Sequence, residues 1–312
     1  MEPTASPSAK IKTGGAFDPA ERNVYFLAGN INNLTSAAAF HDYLLIAINH
    51  MHSAADEAWV EAQIARGKHM FIDSGIFWLT NEHARAHNVS MDRALALAPE
   101  EIDGFDALWN RYIEIVRRLG DKAWGYIELD QGGIDNKIRT RAKLEALGLR
   151  PIPVYHPLND GWDYFDELCT RYDRICFGNI VQADADTRKK LLATAWERHR
   201  RYPDVWIHLL GFTPSQVLYA LPINSGDSST WLASIRWSQG YAEYAAGKTL
   251  GSLPRDFRYK LGSDKDAETG RRKAELMSAY GAHMLLLNWR NHIDRMRQLG
   301  ADIYPEPAHD HD

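Results

Sequence analysis

The stretch HMFIDSGIFWL, His69–Leu79, carries the decisive pattern. Met70, Phe71 and Ile72 form a short continuous apolar run that stops on Asp73, followed at once by Ser74 and Gly75 and then by Phe77 and Trp78. A continuous apolar run of this length reads as a strand buried on both faces, the habit of parallel sheets. Ending such a strand on a carboxylate requires that this end face solvent or a site.

Seven further runs share the character: VYFLAG (24–29), YLLIAIN (43–49), WGYIELD (124–130), PIPVYH (151–156), RICFGN (174–179), VWIHLLG (205–211) and LPINSGD (221–227). Helical periodicity lies between most of them, at 55–67, 105–120, 137–148 and 185–202, and again at 228–245. Gly67 and Gly120 end the first two of these helices. Eight strands alternating with helices predict an α/β fold, a (β/α)8 TIM barrel over 21–249. An open doubly wound sheet is the alternative, but no glycine-rich dinucleotide fingerprint follows the first strand. Residues 1–20 read as a disordered lead-in. Residues 250–303 read as a C-terminal extension with a long helix over 274–300, and 304–312 as a polar tail.

The bulk numbers narrow the functional classes. The 312 residues are 45% hydrophobic and 25% charged, ordinary for a globular protein. Two cysteines, Cys169 and Cys176, cannot build a disulfide framework. No signal peptide or membrane-spanning run is evident, so a cytoplasmic location is expected. The formal net charge of −5 does not suggest a nucleic-acid partner, which would need a local basic face. Candidates are Lys137, Arg139, Arg141 and Lys143, then Arg188, Lys189 and Lys190, and finally Arg271, Arg272 and Lys273. Such runs are most often solvated helix faces.

Chemistry in a barrel sits at the C-terminal strand ends. Here those ends carry Asn49 and His50, Asp73, Asp130, His156, Gly178 and Asn179, His208 and Gly211, and Asp227. Each alone has a structural reading, an aspartate as a helix cap for instance, and Phe77 and Trp78 could be core. As a set they would share one mouth.

The order of these motifs resembles the tRNA-guanine transglycosylase family, including its DNA-acting relatives that insert 7-deazaguanines. The resemblance covers about residues 24–245. The family's Asp-Ser-Gly-Gly-Phe-Gln motif is similar to Asp73-Ser74-Gly75-Ile76-Phe77-Trp78, with the second Gly and the Gln replaced. It implies that Asp73 is the acid/base carboxylate and that Phe77 stacks on the base. Ser74 falls in the same substrate-binding turn. Asp130 and Gln131 take the place of the purine-reading Asp, and His156 that of a Gln-Gly pair. Gly178 and Asn179 correspond to a Gly-Gly loop, and His208 to Gly211 to a Leu-Met-Gly segment. Asp227, before Ser228, takes the place of the nucleophile. The implied activity is exchange of guanine for a 7-deazaguanine base in nucleic acid, through a covalent aspartyl-glycosyl intermediate.

The family's zinc site needs a Cys-x-Cys-x-x-Cys cluster after the nucleophile, and no cysteine lies beyond Cys176. No cofactor and no metal are therefore expected. DNA is preferred to tRNA as partner, because the zinc-bearing docking region is missing. No membrane partner is expected, and a homo-oligomer is left open. Two rivals stand beside this reading. One is a metal-dependent hydrolase using His50, His52, His156, His208 and Asp227. The other is a non-catalytic nucleic-acid-binding barrel.

Overall fold

The computed structural model describes residues 9–213, 221, 223–232 and five positions between 291 and 299. Most of the helix expected over 274–300, most of 228–245 and the Arg271–Lys273 cluster lie outside the described residues, as does the polar tail.

The eight expected strands form, several of them shorter than the apolar runs that announce them. They are β1 (Val24–Ala28), β2 (Tyr43–Ala47), β3 (His69–Asp73), β4 (Gly125–Tyr126), β5 (Val154–Tyr155), β6 (Arg174–Phe177), β7 (Trp206–Leu209) and β8 (Ser225–Ser228). Among the described residues, eight α-helices lie between them: α1 (Ile31–Ala37), α2 (Ala54–Ala65), α3 (Ile76–His87), α4 (Met91–Ala96), α5 (Phe105–Leu119), α6 (Gly133–Ala146), α7 (Trp162–Arg171) and α8 (Ala185–His199). The strands form one sheet of order β4-β3-β2-β1-β8-β7-β6-β5. Beside the two end strands, Ile127 and Ile152 make a parallel bridge, with Ile152 N–H donating to Tyr126 O at 2.8 Å and Glu128 N–H to Ile152 O at 3.1 Å. The fold is α/β, parallel and TIM-barrel-like.

Local chemistry explains the helix boundaries. Ser53 caps α2 in a capping box with Asp56, and Asp184 caps α8 through the N–H groups of Asp186 and Thr187. Helix α3 starts differently: its cap, Gly75, has φ 75°, a left-handed conformation open to glycine at little cost. That glycine turns the chain straight from β3 into α3. Ile76, Thr80, His83 and Ala84 are the buried stripe of α3, so Phe77 and Trp78 point away from it.

The chain divides into two compact units. One comprises the residues before Glu21 together with Ile72–Leu210; the other comprises Glu21–Phe71 and the described residues from Gly211 onward. In the first, β5, β6 and β7 pair in parallel, with Cys176 opposite both Val154 and His208. Its core includes Tyr112, Tyr155, Phe165, Phe177 and Trp206, all fully buried. In the second, β1 lies between β2 and β8, with Phe26 opposite Asp227.

The described part of the expected lead-in is not loose. Ile11 bridges to Tyr172, and Thr13 is buried with its N–H and hydroxyl both donating to Asp173, at 3.0 and 2.8 Å. Arg174 donates to the carbonyls of Thr13, Gly15 and Trp124. A buried guanidinium needs such acceptors, and the segment supplies two of the three. Among the described residues no helix is long and apolar enough to cross a membrane.

Candidate active site at the strand ends

In the first unit, Asp73 ends β3, and its Oδ1 accepts the Gly75 N–H at 2.6 Å. The left-handed Gly75 thus aims its amide back at the carboxylate. Ser74 between them is buried. Phe77 and Trp78 follow at 56% and 53% exposure, so neither ring is core.

Asp130 and His156 come together. His156 Nε2 lies 2.9 Å from Asp130 Oδ2, with both side chains largely buried. Facing a carboxylate, Nε2 carries the proton and donates. Burial works to raise the Asp130 pKa, yet the His156 hydrogen bond and charge outweigh it and hold the carboxyl below its ordinary range. Gly178 makes room for the ring: a Cβ there would lie 2.5 Å from His156 Cδ2 and 2.7 Å from Nε2. Three sequence-predicted positions are therefore one device, with Gly178 as space rather than contact.

A second layer supports that pair. Asp160 Oδ2 accepts the His156 backbone N–H at 2.7 Å and also the ammonium of Lys137. Lys137 is wholly buried and donates as well to Val154 O at 3.0 Å. Beside it, Arg141 donates to Glu128 at 2.9 Å and to the Tyr164 hydroxyl at 2.9 Å, while Glu128 accepts the Val154 N–H at 2.7 Å. Burial raises the Glu128 pKa despite Arg141 and that N–H. Asp160 and Glu128 were not singled out from the sequence. The available signals were a carboxylate four residues beyond His156 and a charge inside the apolar run WGYIELD.

In the first two basic clusters read as candidate phosphate contacts, every residue except Lys190 has a partner within the protein. Lys137 and Arg141 are buried in ion pairs. Arg139 forms a two-pronged pair with Glu100, at 2.5 and 2.7 Å, and Lys143 lies 3.8 Å from the same carboxylate. That guanidinium holds the exposed Glu100 carboxyl down to about 2. Arg188 donates to the Val181 and Ala183 carbonyls, and Lys189 lies 3.5 Å from Asp186. A phosphate would have to compete with partners already in place.

Gln131 is a clasp inside the protein. Its amide nitrogen donates to Ala94 O and Leu97 O, and its oxygen accepts the Thr80 hydroxyl at 2.8 Å. It ties α3 to α4 instead of presenting an amide to a ligand. Asn179 has φ 45° and donates to Asn159 Oδ1 at 2.6 Å; its own Oδ1 is buried with no partner. His208 lies on β7 with 1% exposure.

In the second unit, Asp227 on β8 is 7% exposed, and its Oδ1 accepts the Gly211 N–H at 3.0 Å. Gly211 has φ 68°. The next residue, Ser228, shares hydroxyl hydrogen bonds with Tyr25 at 2.8 Å and Thr213 at 2.7 Å. His50 closes a short 3-10 turn after β2, and burial, helped by the neighbouring His52, lowers its pKa.

The metal-hydrolase reading required donors to gather at His50, His52, His156, His208 and Asp227. Among the described residues the one group of three donors close enough to share a metal ion is His83, His87 and Asp103. None of these was picked out from the sequence, although the spacing of the two histidines in HARAH (83–87) was readable.

No family model and no curated protein matches the chain. Among solved structures it is similar to the YdjI aldolase from Escherichia coli K12, at 12% identity over 90% of this chain and 92% of that one, with a TM-score of 0.39.

Proposed function

We propose that this chain is a base-exchange transglycosylase acting on guanine in nucleic acid, with DNA preferred and a 7-deazaguanine as the incoming base. One observation carries the reading. Asp73, the last residue of β3, and Asp227, the third of the four residues of β8, each have one carboxylate oxygen held by the N–H of a left-handed glycine, Gly75 and Gly211. Two carboxylates oriented by the same device suit a double-displacement reaction, in which one must attack and the other must move protons. The motif order Asp-Ser-Gly-x-Phe to Asp-Ser supports it. The parallel bridge of Ile127 with Ile152 supports a closed (β/α)8 barrel beneath it.

In this mechanism an Asp227 oxygen attacks C1′. The C1′–N bond breaks, its electron pair passes to the base nitrogen, and Asp73 supplies the proton. The incoming base then loses its N–H proton to Asp73 and attacks C1′, and the ester to Asp227 breaks. Asp130, oriented by His156, accepts hydrogen bonds from the purine N–H groups, and Phe77 stacks on the ring. The chain's own residues complete the cycle without a cofactor.

The test is incorporation of labelled guanine into DNA and tRNA in parallel, with free guanosine as a third acceptor. Label in DNA above the other two supports the reading. Label confined to guanosine would replace nucleic acid by a small substrate, and no label in any acceptor would remove the transglycosylase.

A further inference from the structure

We propose that His83, His87 and Asp103 form a three-ligand site for a borderline divalent cation such as Zn2+, its remaining coordination completed by water. The two histidines sit four residues apart on α3 and so share one helix face. Their ring centroids lie 4.3 Å apart, with the planes tilted by 34°. Asp103 reaches them from the turn before α5, its Oδ2 lying 3.4 Å from His83 Nδ1 and 2.6 Å from His87 Nε2.

The hydrogen-bonding around His83 suits a cation. Its Nδ1 already accepts the Asp103 backbone N–H at 3.2 Å. A nitrogen lone pair used in that way has no proton to offer the carboxylate oxygen facing it at 3.4 Å. Two acceptors this close repel, and the proton that His87 shares with Oδ2 offsets this only from one side. A protonated Nδ1 would satisfy the carboxylate but oppose the backbone N–H. A cation satisfies nitrogen and oxygen together, and water can take over the N–H at this exposed turn.

The dimensions agree. Imidazole and carboxylate donors about 2.0–2.2 Å from zinc in tetrahedral array lie about 3.3 Å apart. The His83–Asp103 separation already has that value. The His87–Asp103 hydrogen bond would open by less than about 1 Å on the same criterion, and both of those side chains are more than half exposed and have room to move. Two nitrogens and one carboxylate oxygen select a borderline metal over Mg2+ or Ca2+, which prefer all-oxygen shells. Such an ion would pin the last turn of α3 to the start of α5. Helix α3 is the helix that leaves the Asp73–Gly75 turn, so the ion would brace that turn from its far end.

The experiment uses the full chain, stripped with chelator and titrated with Zn2+, reading stoichiometry, affinity and melting temperature. Because His50, His52, His309 and His311 could also bind metal, it is repeated in a variant with all four changed to alanine. The expected result is one Zn2+ per chain in both proteins, with a rise in melting temperature. His87→Ala and Asp103→Ala, both at exposed positions that leave the fold intact, should each weaken binding on the order of 100-fold and abolish the thermal shift. Absence of binding in the wild type would overturn the site. So would unchanged binding in both single variants, or binding that disappears with the four control histidines.

Discussion

His156 donates to Asp130 across 2.9 Å because position 178 has no side chain. The imidazole occupies the volume that any Cβ there would need. Gly178→Ala should therefore push the ring aside and break the pair, while the strands on either side remain. Overpacking of this kind costs about 1–3 kcal/mol. The check is the denaturation midpoint together with the NMR signal of the His156 ring. An unchanged His156 environment in the alanine variant would mean that the glycine has no such role.

The same pair predicts a pH dependence. The Asp130 carboxyl is held below its ordinary value of 3.8 in the folded protein. Its contribution to stability is then present above that value and is lost as pH falls through the lower folded pKa. The stability difference between wild type and Asp130→Asn should be constant near neutrality and shrink on acidification below 3.8. Equilibrium unfolding of both proteins across that range measures it. A difference that grows as pH falls would contradict the sign.

Lys137 and Asp160 form a buried ion pair. Lys137→Met keeps the length of the side chain but leaves Asp160 without its cation, and breaking such pairs costs about 3–5 kcal/mol. Lys137→Met with Asp160→Asn should recover part of the loss, because no uncompensated charge remains. A double-mutant cycle on unfolding free energy reads the coupling; strict additivity would show the two groups to be independent.

Arg139 and Lys143 should be dispensable for binding nucleic acid, since both face Glu100. Changing both to alanine should leave the salt dependence of DNA affinity as it was, whereas each lost phosphate contact would lower the slope by about 1. Stability should change little, as for exposed ion pairs generally.

The proposed chemistry separates Asp227 from Asp73. Asp227→Asn should abolish a covalent enzyme–nucleic-acid adduct on denaturing gels, because an amide is a poor nucleophile. Asp73→Asn should slow adduct formation in a way that an activated leaving base partly rescues. Adduct that persists in Asp227→Asn but vanishes in Asp73→Asn for every base would reverse the two roles.

The first seven strands were legible because each lies in a short apolar run, which suits a strand buried on both faces, whereas β8, Ser-Gly-Asp-Ser, is polar and was placed only by the residues before it. Length was less legible: WGYIELD and PIPVYH yield two-residue strands, β4 and β5, joined by a single bridge. Helix α3 was hidden because Phe77 and Trp78 extend the apolar run past the Gly75 turn while facing outward, so the composition of the stretch masks its period. The aspartates at the strand ends were readable by residue type and place. What they touch was not, since the N–H groups on Asp73 and Asp227 come from left-handed glycines whose geometry is a backbone property.

Helix α6 shows the limit most clearly. By sequence, Lys137, Arg139, Arg141 and Lys143 are a basic run that water would solvate. The helix instead buries Lys137, Thr140, Arg141 and Leu144, one stripe at helical spacing. Charge at two of those positions contradicts any reading by residue type. It is stable only because Asp160 and Glu128, on other elements, come within hydrogen-bonding distance of it. The sequence by itself determined which segments become strands and that aspartates lie at or near their C-terminal ends. Only the tertiary structure decided which charges are neutralised, because a buried charge is tolerated by its partner, and the partner is set by packing.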